Sequence, residues 1–189
     1  RGQALRRSGA RPGDGVYVSG EIGAAGLAVR ARRGEITLPA ALATHAARRL
    51  DYPQPRVALG LALRGLASAV IDVSDGLLAD LGHICASSGV GARLELARLP
   101  LPDGALAVAT RESLVGSGDD YELCFTVPPR HEPAVGALAA KVGCAVTRIG
   151  QIDAAHPRAA QRHRFGKNAA AATDVERALA GERGKLVDP

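Results

Sequence analysis

The sequence predicts an α/β chain of the α+β type, with a mixed sheet flanked by helices, and three observations lead there. Strand-like and helix-like patterns alternate through residues 67–152, the signature of a layered domain. Hydrophobic residues make up 47% of the 189 and charged residues 23%, the mix of a soluble globular domain. That length buries a core without staples. The three cysteines (Cys85, Cys124 and Cys144) are odd in number, far apart and without a C-x-x-C pair, so neither a disulfide framework nor a zinc knuckle fits.

Taken in order, the chain opens with a basic stretch that ends in the turn Arg11-Pro12-Gly13-Asp14-Gly15. Residues 16–20 alternate like a short strand, and Gly20-Glu21-Ile22-Gly23 links them to a short helix at 24–29. Thr37 before Leu38-Pro39 predicts a helix start, with threonine as cap and proline in the first turn, running to about Leu50. A second helix follows Pro55, with Val57, Leu61 and the Leu63/Leu66 region on its apolar stripe. Small and β-branched residues at 67–73 read as a buried strand that stops at Ser74-Asp75-Gly76. Leu77, Leu78, Leu81, Ile84 and Cys85 fall at helical spacing, from near Asp75 to the stop signal Ser87-Ser88-Gly89. Residues 93–96 predict a strand, 106–111 a short helix, and 116–120 a turn feeding a strand at 121–127. A helix at 133–142 and a strand at 145–149 complete the pattern. Beyond about Asp153 periodicity is lost, and 154–189 reads as a poorly packed tail.

The net charge of +5 resolves into +5 for residues 1–33, +3 for 154–189 and −3 for the body between. With aromatics at only 3% there is no stacking platform for single strands, and Arg-rich, Ala-rich usage also fits a GC-rich genome, so no nucleic-acid role is expected. No apolar run approaches the ~18 residues of a membrane helix, and there is no basic-then-apolar leader. The expectation is a cytoplasmic protein without a membrane partner. The chain has no methionine and reads as a fragment or processed product.

Two segments could carry chemistry. In Asp72-Val73-Ser74-Asp75-Gly76, at a strand-to-helix junction, Asp72 and Ser74 point to one side of an extended strand. Asp75 sits where a helix start gathers free N–H groups. Two carboxylates and a hydroxyl there suit a Mg²⁺ ion bridging phosphate oxygens. The ordinary alternative is that Ser74 or Asp75 merely caps the helix. In Asp119-Asp120-Tyr121-Glu122, three acids surround a tyrosine after a Gly-rich turn, fit for a metal or a cationic substrate, or else a solvated turn. Gly20-Glu21-Ile22-Gly23 lacks the Lys-Ser/Thr of a P-loop. His83 reads as a helix-packed histidine, and His45, His131, His156 and His163 have no partner at ligand spacing. Cys85 and Cys124 read as small buried hydrophobes.

Together these pieces resemble the thiamine-monophosphate kinases, of the PurM-like family. The likeness lies in Arg1 through Asp14, Val16-Tyr17-Val18-Ser19-Gly20, the run from Pro53 to Leu66, Ile71-Asp72-Val73-Ser74-Asp75-Gly76-Leu77 with Asp80-Leu81, and Gly118-Asp119-Asp120-Tyr121-Glu122-Leu123-Cys124-Phe125. The resemblance implies a PurM-like C-terminal domain over 1–153 and a reaction in which ATP passes its γ-phosphoryl group to thiamine monophosphate, giving thiamine diphosphate. It implies Mg²⁺ with Asp72 and Asp75 as metal ligands, Ser74 on the nucleotide and Asp119 on the substrate. No covalent phospho-enzyme is implied, and the full-length form is expected to be a homodimer.

The family's N-terminal domain, with its further metal-binding aspartates, has no counterpart here, and residues 154–189 lack the family's usual ending. We therefore expect a half-site inactive alone, with Asp72–Asp75 at the mouth of a cleft and an apolar surface exposed where the other domain docks. The alternatives are another PurM-like enzyme (an aminoimidazole ribonucleotide synthase, selenide kinase or hydrogenase-maturation type) and a non-catalytic remnant that binds a partner.

Overall fold

The computed structural model describes residues 4–154, so all but the first residue of the expected tail lies outside it. The elements in chain order are β1 (Gly15–Ser19), α1 (Ala24–Arg32), α2 (Ala40–Asp51), α3 (Val57–Ala62), β2 (Ala69–Asp72), α4 (Leu77–Ser88), β3 (Val90–Leu94), α5 (Arg111–Val115), β4 (Leu123–Val127), α6 (Glu132–Val142) and β5 (Val146–Ala154). Short 3₁₀ turns at Leu96–Arg98, Ala105–Ala107 and Pro129–His131 punctuate the connections.

The strands form one sheet in the order β2-β4-β1-β5-β3. Every pairing is antiparallel, so the expected mixed sheet is corrected while the α/β class stands. The reason is topological. β2 and β3, joined through α4, point the same way, as do β4 and β5, joined through α6. Each like-directed pair is kept apart by strands that include an opposed neighbour, so the alternating chain never lays two parallel strands side by side.

β1 is buried along its whole length because it lies at the centre. The period-two geometry of a strand then divides its side chains between two cores. Val16 and Val18 face one side with Ile71 of β2, Cys124 of β4 and Ile149 of β5, all covered by Leu77, Leu81 and Ile84 of α4. Tyr17 faces the other with Val70 and Phe125, against Leu59 and Leu63 and against Val135 of α6. Tyr17 and Phe125 are register partners and stack with centroids 5.5 Å apart. A third cluster joins α1, α2 and α5 through Leu27, Leu42, Ala46 and Leu114.

Three local expectations shift. The cap of α2 is Pro39, in an extended conformation and with no side-chain bond, and not Thr37. A residue before proline is pushed out of the helical region, and Ile36 and Leu38 pack on the α1–α2 cluster, so the helix begins later. The helix expected at 106–111 is instead the Ala105–Ala107 turn followed by α5, which Thr110 caps by accepting from the Ser113 amide at 3.3 Å. The stripe on α3 is as expected only in part. Leu63 is buried at 1% exposure, but its buried companion is Leu59, also 1% exposed, while Val57 and Leu61 are 64% and 59% exposed.

Val57 and Leu61, with Tyr52 just after α2, leave large apolar side chains in solvent. No helix among the described residues is long and apolar enough to cross a membrane. The phase of α3 is checked by equilibrium urea unfolding. Leu59→Ala is expected to cost about 2–5 kcal/mol, and Leu61→Ala to stay within about 0.5 kcal/mol of wild type. Equal losses would contradict the phase described.

Candidate functional site

The two motifs meet at one end of the sheet. β2 and β4 are neighbours, so the chain leaving β2 runs beside the chain entering β4. Backbone bonds zip them together: the Val73 amide donates to the Glu122 carbonyl at 2.7 Å, the Tyr121 amide to the Val73 carbonyl at 2.8 Å, and the Asp119 amide to the Ser74 carbonyl at 2.9 Å. Glycine permits this closeness. A Cβ on Gly118 would strike the Ser74 carbonyl oxygen, and one on Gly76 would lie 2.9 Å from the Gly116 carbonyl. Asp72, Asp75 and Asp119 emerge exposed on the shared rim, with Ser74 half-buried between them.

The capping alternative for Ser74 and Asp75 is not what the structure contains. The N-cap of α4 is Gly76, which has no side chain to offer. The carboxylate that satisfies the junction belongs to buried Asp80, whose Oδ2 reaches back from the first turns of the helix. It accepts from the Ser74 amide at 2.9 Å and the Asp75 amide at 3.1 Å. Burial pushes Asp80 up; those two amide bonds pull against it, as does His83. Asp75, Asp80 and His83 each offer a ligand atom within 4.8 Å of the others, a grouping able to hold a cation. Asp72, placed at the end of β2, is not among that three. His83 is exposed and not helix-packed, which corrects its expected role. The missed signal was spacing, because residues three apart on a helix share a face and Asp80 and His83 are such a pair.

The second motif alternates. Asp119 and Tyr121 are exposed, Asp120 and Glu122 buried. Glu122 is fully buried and accepts from Ser19 Oγ at 2.5 Å, from Arg56 Nε at 2.7 Å and its Nη2 at 2.6 Å, and from Arg49. Burial alone pushes Glu122 up, but the bonds from Arg56 and Ser19 and the two arginine charges outweigh it and hold the carboxyl below its ordinary range. Asp120 accepts from the Gly23 amide at 2.7 Å and the Ala25 amide at 3.4 Å, closing the start of α1. Burial pushes Asp120 up to about 7, against the pull of those amides and of Arg49. Neither is a free acid of a solvated turn. Burial also pushes Cys85 up to about 11 and Cys124 further; Cys124 is a buried hydrophobe as expected, whereas Cys85 is only partly buried against the same core.

Asp72, Asp75 and Asp119 stand exposed, and two grooves elsewhere on the domain are lined by none of Asp72, Ser74, Asp75 or Asp119. They lie at the opposite end of β1, β2 and β4.

Fold and rim define the class: an α/β domain with a five-stranded antiparallel sheet that displays, at one end, a glycine-hinged acidic rim. The chain belongs to the family described as AIR synthase related protein, C-terminal domain, whose profile matches residues 11–161. A thiamine-monophosphate kinase of Salmonella typhimurium is 46% identical over 160 residues, covering 81% of this chain and 49% of the relative. The crystal structure of thiamine-monophosphate kinase from Stenotrophomonas maltophilia K279a is 43% identical with a TM-score of 0.73, over 82% of this chain and 53% of that one. AaThiL complexed with AMPPCP and TMP is 27% identical with a TM-score of 0.67, over 80% and 48%. The expected likeness to thiamine-monophosphate kinases is thus found in sequence and in fold. The chain spans about half the length of the curated relatives it matches.

The buried acids give opposite pH slopes. Glu122, lowered on folding, adds stability above its unfolded pKa that is lost as pH falls through the folded value. Asp120, raised on folding, loses stability as pH rises from about 4, where the unfolded chain ionises, to about 7. The slope is at most ~1.4 kcal/mol per pH unit. The stability advantage of wild type over Asp120→Asn is therefore expected to shrink steadily between pH 4.5 and 7 and then level off, measured by urea unfolding. A constant advantage across that range would show Asp120 ionising normally.

Proposed function

We propose that this chain is the substrate-and-metal half of a thiamine-phosphate kinase, which forms thiamine diphosphate from thiamine monophosphate and ATP by direct phosphoryl transfer. The observation that carries the proposal is the hydrogen-bonded union of the Asp72–Gly76 and Gly118–Glu122 segments into one acidic rim. The AaThiL structure complexed with AMPPCP and TMP supports the substrate pair.

On this reading Asp72 and Asp75 are the carboxylates that hold Mg²⁺, with Ser74 against the nucleotide and Asp119 against the thiamine phosphate. The donor set fits, because hard carboxylate oxygens are what Mg²⁺ selects and Asp80 fixes the Asp75 backbone without consuming the Asp75 side chain. Mg²⁺ when bound would neutralise the repulsion between two anionic reactants and orient the transferred group. The protein residues contribute position. Ser74 and Asp119 are tied to one another by a backbone bond, so nucleotide and acceptor contacts keep a fixed separation. No side chain is required as a nucleophile. ATP is a co-substrate, the working protein is cytoplasmic and homodimeric, and neither nucleic acid nor membrane is a partner.

We further propose residues 1–153 as the PurM-like domain and 154–189 as a divergent tail, with catalysis depending on the half of the relatives that this chain does not match. The test is a thiamine diphosphate assay with Mg-ATP and thiamine monophosphate. It compares the complete reading-frame product of the native locus, the 189-residue chain, and the complete product carrying Asp75→Asn. Turnover is expected from the complete product alone, with a loss of about 100-fold or more in the variant, since even outer-shell changes at metal sites cost 10–100-fold. Turnover by the 189-residue chain would refute the half-site, and no product from the complete frame would refute the substrate assignment.

A further inference from the structure

We infer that the end of the sheet opposite the acidic rim carries a second site, which binds a small organic anion bearing a phosphate or carboxylate head. A groove of about 500 Å³ lies there, lined by Arg11, Asp14, Leu66, Ser68, Arg130 and His131 among others. A second groove of about 280 Å³ shares Gly65, Ala67 and Ser68 with it and adds Arg6, so the two form one trough. The larger volume is in the range of small-molecule sites.

The trough is built from fixed backbone. The Arg6 carbonyl accepts from the Val70 amide of β2 at 2.8 Å, and the amides of Gly9 and Ala10 donate to Ser88 Oγ at 3.1 and 3.2 Å. The Arg11 amide donates to Asp14 Oδ2 at 3.0 Å, and Gly13 donates to the Ile152 carbonyl at 2.8 Å. Pro12, Pro128 and Pro129 stiffen the wall. A Cβ on Gly9 would lie 2.5 Å from the Ser68 carbonyl oxygen, so the floor is tightly closed.

Its charge points to the ligand. Asp14 is the acid in the lining; it is buried, and the Arg11 amide and Ser68 Oγ satisfy its Oδ2. The guanidinium groups of Arg11 and Arg130 make no ion pair or hydrogen bond among the described residues, whereas arginines such as Arg32, Arg49, Arg56 and Arg93 pair with carboxylates. His131 Nδ1 lies 3.1 Å from the Leu66 carbonyl, which only accepts, so Nδ1 carries a proton and Nε2 is the ring's remaining polar atom. Two unpaired guanidinium forks and an imidazole beside proline and leucine walls match an oxyanion on a compact apolar body. The acidic rim at the other end repels such a ligand unless a cation is present, whereas this trough attracts it directly.

The experiment is isothermal titration of the 189-residue chain with phenyl phosphate and, separately, benzoate, in EDTA at fixed ionic strength. Saturable binding of at least one probe is expected, with affinity about tenfold weaker or worse in Arg11→Ala/Arg130→Ala and unchanged in Arg33→Ala, an exposed arginine elsewhere. Asp72→Asn/Asp75→Asn should leave it unchanged, which separates this site from the proposed kinase site. Preference for phenyl phosphate assigns a phosphate head, and preference for benzoate a carboxylate head. Absence of saturable binding, or equal weakening by Arg33→Ala, overturns the site. Exposed Arg11 and Arg130 can be changed without disturbing the core, and matching thermal unfolding of the variants checks this.

Discussion

The arrangement depends on one buried carboxylate. Glu122 has no access to solvent, and a charge in that position persists only when paired and hydrogen-bonded. Its partners come from three places: Ser19 at the end of β1, Arg49 near the end of α2 and Arg56 just before α3. The central strand, the strand beside it and two helices of the surrounding layer are therefore locked at one point. Gly20 belongs to the same constraint. Its φ is +56°, and any Cβ there would enter the Glu122 carboxylate, so position 20 needs glycine for both backbone and space. Removing one partner would leave the carboxylate still paired, whereas removing both Arg49 and Arg56 would leave an uncompensated charge inside the protein, which is far costlier than the pairing is worth.

The rim follows from that lock. With Asp120 anchored on the α1 amides and Glu122 on the arginines, the residues between and before them are forced outward. Asp119 and Tyr121 take left-handed backbone at φ +66° and +51°, conformations that cost non-glycine residues about 1 kcal/mol or more each. The zipper bonds to Val73 and Ser74 hold them there. Strain at Asp119 is thus sustained by buried neighbours, and the same bonds that sustain it bring Asp119 to the Asp72–Asp75 junction. Structural acids and surface acids alternate in one tetrapeptide, and the first kind positions the second.

Much of this was legible in residue patterns. The strand ending at Asp72, the helix from Leu77 to the Gly89 stop and the strand after the Gly-Asp-Asp turn were all readable. What escaped was long-range. Glu122 looked like one acid among three around a tyrosine, because nothing local announces partners 66 and 73 residues away. The phase of α3 escaped in part because Val57, Leu59, Leu61 and Leu63 are all apolar, so periodicity fixes a helix without choosing its inner face. The antiparallel sheet escaped for a related reason: alternating strands and helices set the direction of successive strands but not which strands become neighbours. His83 was misplaced because a histidine in an apolar helix ordinarily packs inside.

The exposed rim also bears on how the proposed chemistry is divided. Phosphoryl transfer between two anions gains most where water is excluded and reacting groups are held in line. The acidic rim offers exposed carboxylates on a fixed backbone, and the two grooves named above lie at the other end of the strands. Large apolar side chains stand exposed at Tyr52, Val57 and Leu61, on the segment that runs past Arg56 and its bond to Glu122. A second domain seated on that face would rest on the element that the buried carboxylate fixes. The lock that aims the acids outward would then also set the angle at which a wall meets them. On the proposed function this domain contributes position and charge, and the unmatched half of its relatives contributes enclosure.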